Sequence, residues 1–188
     1  MNNPKFAIID MDGTIINNHH VMHFDTGSEF KWEDFVAASM DAPVNEQVVA
    51  AINVLSDAGY YIAICTARPE SIERVTIDHL EYLADNHDLH FDLIITRDQK
   101  LQDSELEELD GIKDVSLYKN IIHEHHAVYR NNVIDDLEER YGKGCVKYAF
   151  DDQEHNLNVM KLRGVEGYLI DVEGNFPEEP THKLAGVM

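Results

Sequence analysis

The sequence predicts an α/β protein with a central parallel sheet and helices on both of its faces. Short apolar runs alternate five times with segments whose apolar residues recur at helical spacing. The acidic and hydroxyl residues suited to chemistry fall just past the ends of those runs, at the edge where parallel sheets bind ligands. Crossovers are expected to be right-handed. The 188 residues suit one domain over 1–188, with a short flap at about 15–43.

The elements follow in order. Residues 5–9 (KFAII) form a buried strand. Val44, Val48, Val49, Ile52 and Leu55 make a helical stripe over 44–58, stopped at Gly59. Residues 60–65 (YYIAIC) form a second strand. Pro69 suits the first turn of a helix running through Ile72, Val75, Ile77, Leu80 and Leu83. A third strand covers 91–95 (FDLII), and the stretch after it, RDQKLQDSELEELDGIKD, is expected to be an acidic connector. A long helix spans 115–140 and ends near Gly142. Residues 145–150 (CVKYAF) form a fourth strand, 154–163 a helix broken by Gly164, and GYLID a last short strand. The C-terminal stretch EGNFPEEPTHKLAGVM is expected to be irregular.

Composition excludes some classes. Hydrophobic residues make up 44%, a globular rather than a disordered proportion. No apolar run approaches the ~20 residues of a membrane span. The start, MNNPKFAIID, lacks the pattern of a signal peptide, so a cytoplasmic protein is expected. Cys65 and Cys145 have neither metal-type spacing nor the number for a disulfide scaffold, and are expected to be buried thiols. Asp and Glu total 36 against 15 Lys and Arg, a net charge of -21. Such a surface repels nucleic acid and anionic membranes overall, yet leaves room for a local cationic pocket.

The chemistry gathers at strand ends. Asp10 and Asp12 end the first strand, Thr66, Ala67 and Arg68 follow the second, and Asp151 and Asp152 follow the fourth. If these strands are neighbours, four carboxylates and a hydroxyl converge. Two unit charges ~4 Å apart repel by roughly 4 kcal/mol at an effective dielectric of ~20. Protons or a cation must relieve this, and a small hard ion such as Mg²⁺ suits carboxylates, water and phosphate.

DMDGT, CTARP and FDDQEHN, in this order over residues 6 to about 170, resemble the three signatures of haloacid dehalogenase (HAD) superfamily phosphotransferases. The resemblance implies a three-layer Rossmann-like fold with a minimal cap. It implies that Asp10 attacks phosphorus to form an aspartyl-phosphate, and that Asp12 is the general acid and then the base. Gly13 would permit the turn after the strand, and Thr66 would bond a phosphate oxygen. Asp10, the backbone carbonyl of Asp12, and Asp151 or Asp152 would hold Mg²⁺. A lysine stabilising the phosphoryl group is expected at Lys119, with Lys113 as runner-up.

TARPE, FDLIITRD and KDVSLYKNII further resemble the phosphatase domain of phage-type polynucleotide kinase/phosphatase. That resemblance implies Arg68 and Arg97 as phosphate clamps and a 3′-phosphorylated polynucleotide end as substrate. No G-x-x-x-x-G-K-[ST] loop occurs, so no kinase half is present in this sequence. HEHHAVYRNNVIDDLEER looks like extra length in the long helix.

The segment from Ile15 to Pro43 is short, and its Phe24, Phe30, Trp32 and Phe35 are expected to pack as a small flap over an open site. That favours a bulky substrate, whereas the charge keeps a 5′/3′-nucleotidase or another small phosphate-ester phosphatase in play. A non-catalytic acidic binding module is the alternative of a different class. The VIDD at 133–136, the histidines at 19–20, 123 and 125–126, and the acidic run 103–110 are expected to be solvated or packed rather than functional.

Overall fold

A computed structural model describes residues 3–20, 31–112 and 114–171. Five strands form one parallel sheet: β1 (Phe6–Ile9), β2 (Tyr61–Pro69), β3 (Leu93–Arg97), β4 (Val146–Asp151) and β5 (Glu166–Leu169). Their spatial order is β3-β2-β1-β4-β5, so β1 is central and the chain switches direction across the sheet beside it. The carboxyl end of β1 therefore opens at a topological switch point, flanked by β2 and β4.

Alternation along β1 sorts the two cores. Ala7 and Ile9 face α2 (Glu46–Asp57) and α3 (Glu73–His87), packing with Val48, Ile52, Leu55, Leu80 and Leu83. Phe6 and Ile8 face α5 (Val115–Tyr141) and α6 (Glu154–Leu162), packing with Val133, Ile134, Leu137, Leu157 and Met160. Both faces of the sheet are thus covered, which is what a central strand with all four residues buried demands. The remaining helices are α1 (Trp32–Ser39) and α4 (Gln99–Leu109).

Several boundaries differ from the sequence reading. β2 continues past Cys65 through Pro69, pairing Pro69 with Arg97 after a register shift. Pro69 (φ -72, ψ 158) is extended and precedes a single 3-10 turn, Glu70–Ile72, so α3 starts only at Glu73. The buried stripe of α3 is then Thr76, His79, Leu80 and Leu83, and Val75 is 43% exposed. The third strand lies two residues further on than expected, at Leu93–Arg97.

The acidic stretch expected to be a connector is α4. Asp98 caps it by accepting from the backbone N–H of Lys100 (2.8 Å) and Leu101 (3.4 Å). Glu105, read as part of a solvated run, is buried and pairs with Arg97 at 2.8 Å. The VIDD sequence lies within α5 as expected, with Val133 and Ile134 buried and Asp135 exposed, pairing with Arg163. Among the described residues no helix is long and apolar enough to cross a membrane.

Candidate active site

The turn after β1 builds the site. Backbone N–H groups of Thr14, Ile15 and Ile16 converge on the Met11 carbonyl at 2.9–3.4 Å, and Gly13 N–H reaches the Ile16 carbonyl at 2.8 Å. Gly13 has φ +86, which a side chain would strain, so the glycine after Asp12 has a backbone cause. This turn holds Asp10 and Asp12 in different surroundings.

Asp10 is buried, and carboxylate oxygens of Asp10, Asp151 and Asp152 lie within 4.8 Å of one another. At that spacing each ionised pair repels by about 3 kcal/mol at an effective dielectric of ~20. Burial raises the Asp10 carboxyl well above its usual range, with the charge of Asp151 next in importance. Burial also raises Asp151, and burial together with Asp151 pushes Asp152 up to about 7. Among the described residues one cation answers these charges. Arg130, on α5 and itself buried, donates through Nη2 to Asp10 Oδ1 (2.6 Å) and lies 2.9 Å from Asp151 Oδ2. Its Nη1 donates to the Cys65 carbonyl at 2.6 Å, which ties the fork to β2. One guanidinium against three carboxylates leaves an excess of negative charge. This all-oxygen donor set fits a small divalent cation.

Neighbouring groups brace the acids. Thr14 Oγ1 donates to Asp10 Oδ2 (3.2 Å), and Asn156 Nδ2 and the Gln153 N–H donate to Asp151 Oδ1 at 3.0 and 2.9 Å. Gln153 Nε2 donates to Asp152 Oδ2 at 2.7 Å, with His19 Nδ1 at 3.9 Å from the same oxygen.

Asp12 is held apart from that cluster by its own donors. Arg68 grips it with Nε to Oδ2 (2.8 Å) and Nη2 to Oδ1 (2.7 Å), Asn18 Nδ2 donates to Oδ1 (2.8 Å), and Thr66 Oγ1 to Oδ2 (3.3 Å). Behind Arg68, its Nη1 faces His79 Nδ1 at 3.4 Å. Arginine can only donate, so Nδ1 accepts and the His79 proton sits on Nε2. Burial and the nearby guanidinium lower the His79 pKa to about 4. On its other side Arg68 lies 5.9 Å from the Phe35 ring centre, and Phe35 meets Trp32 edge-on at 5.6 Å. Phe35 and Val36 of α1 pack with Ile72, so α1 lies beside the Asp12 half of the site.

The structure thus brings Asp10, Asp12, Thr66, Arg68, Asp151 and Asp152 together, with Ala67 half-buried between Thr66 and Arg68. Two expected residues have other settings. Arg97 pairs with Glu105 in a buried ion pair, and its Nε has no partner among the described residues. Lys119 is exposed near the start of α5 and enters none of the ion pairs among the described residues; the cation against Asp10 is Arg130. Lys113, Phe24 and Phe30 fall outside the described residues. Arg68 is at the site but holds Asp12.

Sequence reasoning passed over Arg130 because it lies in what looked like surplus helix. A signal was there: Arg130 shares the buried face of Val133, Ile134 and Leu137, at spacings of three, four and seven. An arginine on an apolar stripe needs a buried anion. The histidines are exposed or engaged with neighbours: His20 is exposed, His123, itself exposed, stacks on His155 at 3.9 Å between ring centres, and His125 pairs with Glu108 at 2.9 Å.

No protein-family model matches the sequence, and no curated protein matches it. Solved structures do resemble it. A HAD-like phosphatase from Mesorhizobium loti has a TM-score of 0.56 at 14% identity, over 100% of this chain and 85% of that one. A chain of the Pnkp1/Rnl/Hen1 complex has a TM-score of 0.53 at 16% identity, over 91% of this chain and 47% of that one, so this protein spans about half its length. A dehalogenase has a TM-score of 0.50 at 12% identity, over 95% and 89%. The chain therefore has the HAD-like fold shared by these phosphatases and dehalogenases, with its carboxylates gathered at the carboxyl edge of the parallel sheet.

Proposed function

We propose that this chain is a Mg²⁺-dependent phosphomonoesterase working through an aspartyl-phosphate on Asp10. The observation that carries the reading is the pairing of two unlike aspartates on one turn. Asp10 sits among acids and against Arg130; two residues on, Asp12 sits among donors. Asp10, Asp151 and Asp152 are the residues that would hold the metal, with the Asp12 carbonyl. When bound it would offset their charge and polarise the phosphoryl group.

A carboxylate oxygen of Asp10 forms the new bond to phosphorus as the ester P–O bond breaks. The leaving oxygen takes a proton from Asp12. A water then attacks the aspartyl-phosphate, Asp12 takes a proton from it, and phosphate leaves with Asp10 restored. Four hydrogen bonds present Asp12 as an acceptor, the state that deprotonates water. To act first as an acid it must carry a proton, and one donor must turn away. Thr66 has the longest of the four bonds, and its hydroxyl is the group proposed to turn to a phosphate oxygen. Arg130 Nε is buried without a partner among the described residues and is proposed to meet the phosphoryl group.

The substrate class proposed is a 3′-phosphorylated polynucleotide end, reached past a short flap at about 15–43. Similarity to a chain of an RNA repair complex supports it. The net charge of -21 favours the second reading, a nucleotidase or small-ester phosphatase. The test is phosphate release from a 3′-phosphorylated oligonucleotide and a 3′-mononucleotide with Mg²⁺, with Asp10→Asn as control. Faster release from the oligonucleotide, lost in the variant, supports end healing. Release from the mononucleotide alone moves the protein to the nucleotidases. No release from either, nor from an aryl phosphate, supports the acidic binding module.

A further inference from the structure

The opposite edge of the sheet carries a second feature. Two adjoining cavities lie where β4, β1 and β2 begin, far from the carboxyl ends that hold the acids. One, of about 270 Å³, is lined by Asn3, Lys5, Lys143, Gly144, Cys145 and Lys147, and also by Pro4. The other, of about 340 Å³, is lined by Pro4, Phe6, Tyr61, Asp92, Leu93 and Tyr141. Pro4 borders both, and the second falls at the lower end of the range of ligand clefts, about 300–1,000 Å³. Phe6 N–H bonds the Cys145 carbonyl (2.9 Å) and Tyr61 N–H bonds the Lys5 carbonyl (2.8 Å), so the start of β1 sits between the two lobes.

The lobes differ in chemistry. The first holds three of the molecule's 15 cationic side chains and no carboxylate, in a protein of net charge -21. Lys143 and Lys147 are exposed and enter none of the ion pairs among the described residues, whereas the Lys5 amine lies 5.6 Å from the centre of the Tyr60 ring. Glu138, the nearby acid, is occupied by Gly144 N–H at 2.6 Å and Arg163 at 3.0 Å. The second lobe is aromatic. Tyr61 and Tyr141 each pack on Phe6, at 5.4 and 4.8 Å between ring centres, and remain 48% and 37% exposed. Its one acid, Asp92, accepts from Ile62 N–H at 2.7 Å and lies 3.7 Å from His90.

We propose that this cleft binds a nucleotide unit, with the phosphate on Lys143 and Lys147 and the base against Tyr61 and Tyr141. Lysines beside exposed aromatic faces are the arrangement that holds single strands, with charge tracking the backbone and rings taking the bases. The same chemistry serves a free nucleotide. The cleft does not depend on the phosphatase reading, since it shares no residue with the acidic site.

The experiment is fluorescence anisotropy of a labelled oligothymidylate of about twenty nucleotides ending in a 3′-hydroxyl, in EDTA at low salt. Thymidine monophosphate and inorganic pyrophosphate serve as competitors. Saturable binding is expected, weakened at least about tenfold by Lys143→Glu with Lys147→Glu and several-fold by Tyr61→Ser. Melting curves of each variant report whether the fold is kept. Competition by the mononucleotide assigns the cleft to free nucleotides, and binding that grows with strand length assigns it to a strand; both support the proposal. No binding by the unsubstituted protein overturns it, as does binding unaffected by the lysine reversals. Full competition by pyrophosphate with no effect of Tyr61→Ser overturns the nucleotide assignment.

Discussion

Replacing Arg130 by methionine is the sharpest test of how the acidic site is held together. The guanidinium makes charge-assisted contacts of 2.6 Å to Asp10 and 2.9 Å to Asp151, and a third bond to the Cys65 carbonyl. Each bond to a charged group contributes about 1.5–3 kcal/mol, so the two carboxylate contacts alone amount to roughly 3–6 kcal/mol. Removing one partner of a buried pair strands the others, and the loss expected is about 3–5 kcal/mol once the freed acids take up protons. For a chain of this size that is a fall in Tm of about 6–20 °C. Arg130→Lys keeps the charge but loses the fork, and should fall in between. Mg²⁺ should raise the Tm of Arg130→Met by more than that of the unsubstituted protein, because it supplies the missing positive charge. Thermal and urea unfolding at neutral pH measure all three. A loss under about 1 kcal/mol for Arg130→Met would refute the view that this residue offsets the cluster.

Other outcomes follow from the same geometry. Arg97→Ala or Glu105→Ala should each cost about 3–5 kcal/mol in urea unfolding, whereas Arg97→Met with Glu105→Leu, which leaves no unpaired buried charge, should fold with a smaller loss. His79 gives a pH dependence. Its pKa falls from 6.5 unfolded to about 4 folded, so the unfolded chain takes up the proton first and stability drops as pH falls from about 6.5 towards 4. The loss is at most about 3 kcal/mol, and His79→Gln should flatten that part of the unfolding profile. Arg68→Lys should lower the proposed kcat by loosening the two-pronged hold on Asp12, with little change in Tm dependence on Mg²⁺; an unchanged kcat would show that Arg68 does not position Asp12. Gly13→Ala should cost about 1–2 kcal/mol in unfolding from its positive φ.

The two aspartates of one motif acquire different properties only through what folds against them. Asp10 and Asp12 are two residues apart. Long-range contacts give Asp10 an arginine 120 positions away and give Asp12 an arginine 56 positions away. Each guanidinium is in turn fixed from behind, Arg130 by Cys65 and Arg68 by the Phe35 and His79 side chains. The site is therefore a product of the cores on both sheet faces, one contributing α5 and the other α3.

Much of this was legible in the residues. Short apolar runs and period-3.6 stripes announced the strands and helices, because a sheet covered on both faces needs continuous apolar strands and one-sided helices. The carboxylates after the first and fourth strands, and the hydroxyl after the second, were visible as polar residues ending buried runs. Their convergence required only that the three strands be neighbours, which the order β2-β1-β4 satisfies. Pairing of charges over long sequence separations was not legible. Arg68, Arg97 and Lys119 each sit in a local setting that suits a phosphate ligand, and nothing local reveals that Arg68 is held by Asp12, that Arg97 is buried against Glu105, or that Lys119 is on the outside. The acidic run 103–110 shows the same limit, since Glu105 became a buried residue only when β3 supplied its partner. Local patterning sets which face of an element is apolar; the partner of a buried charge is chosen by the packing of elements distant in the chain, and that choice belongs to the tertiary structure.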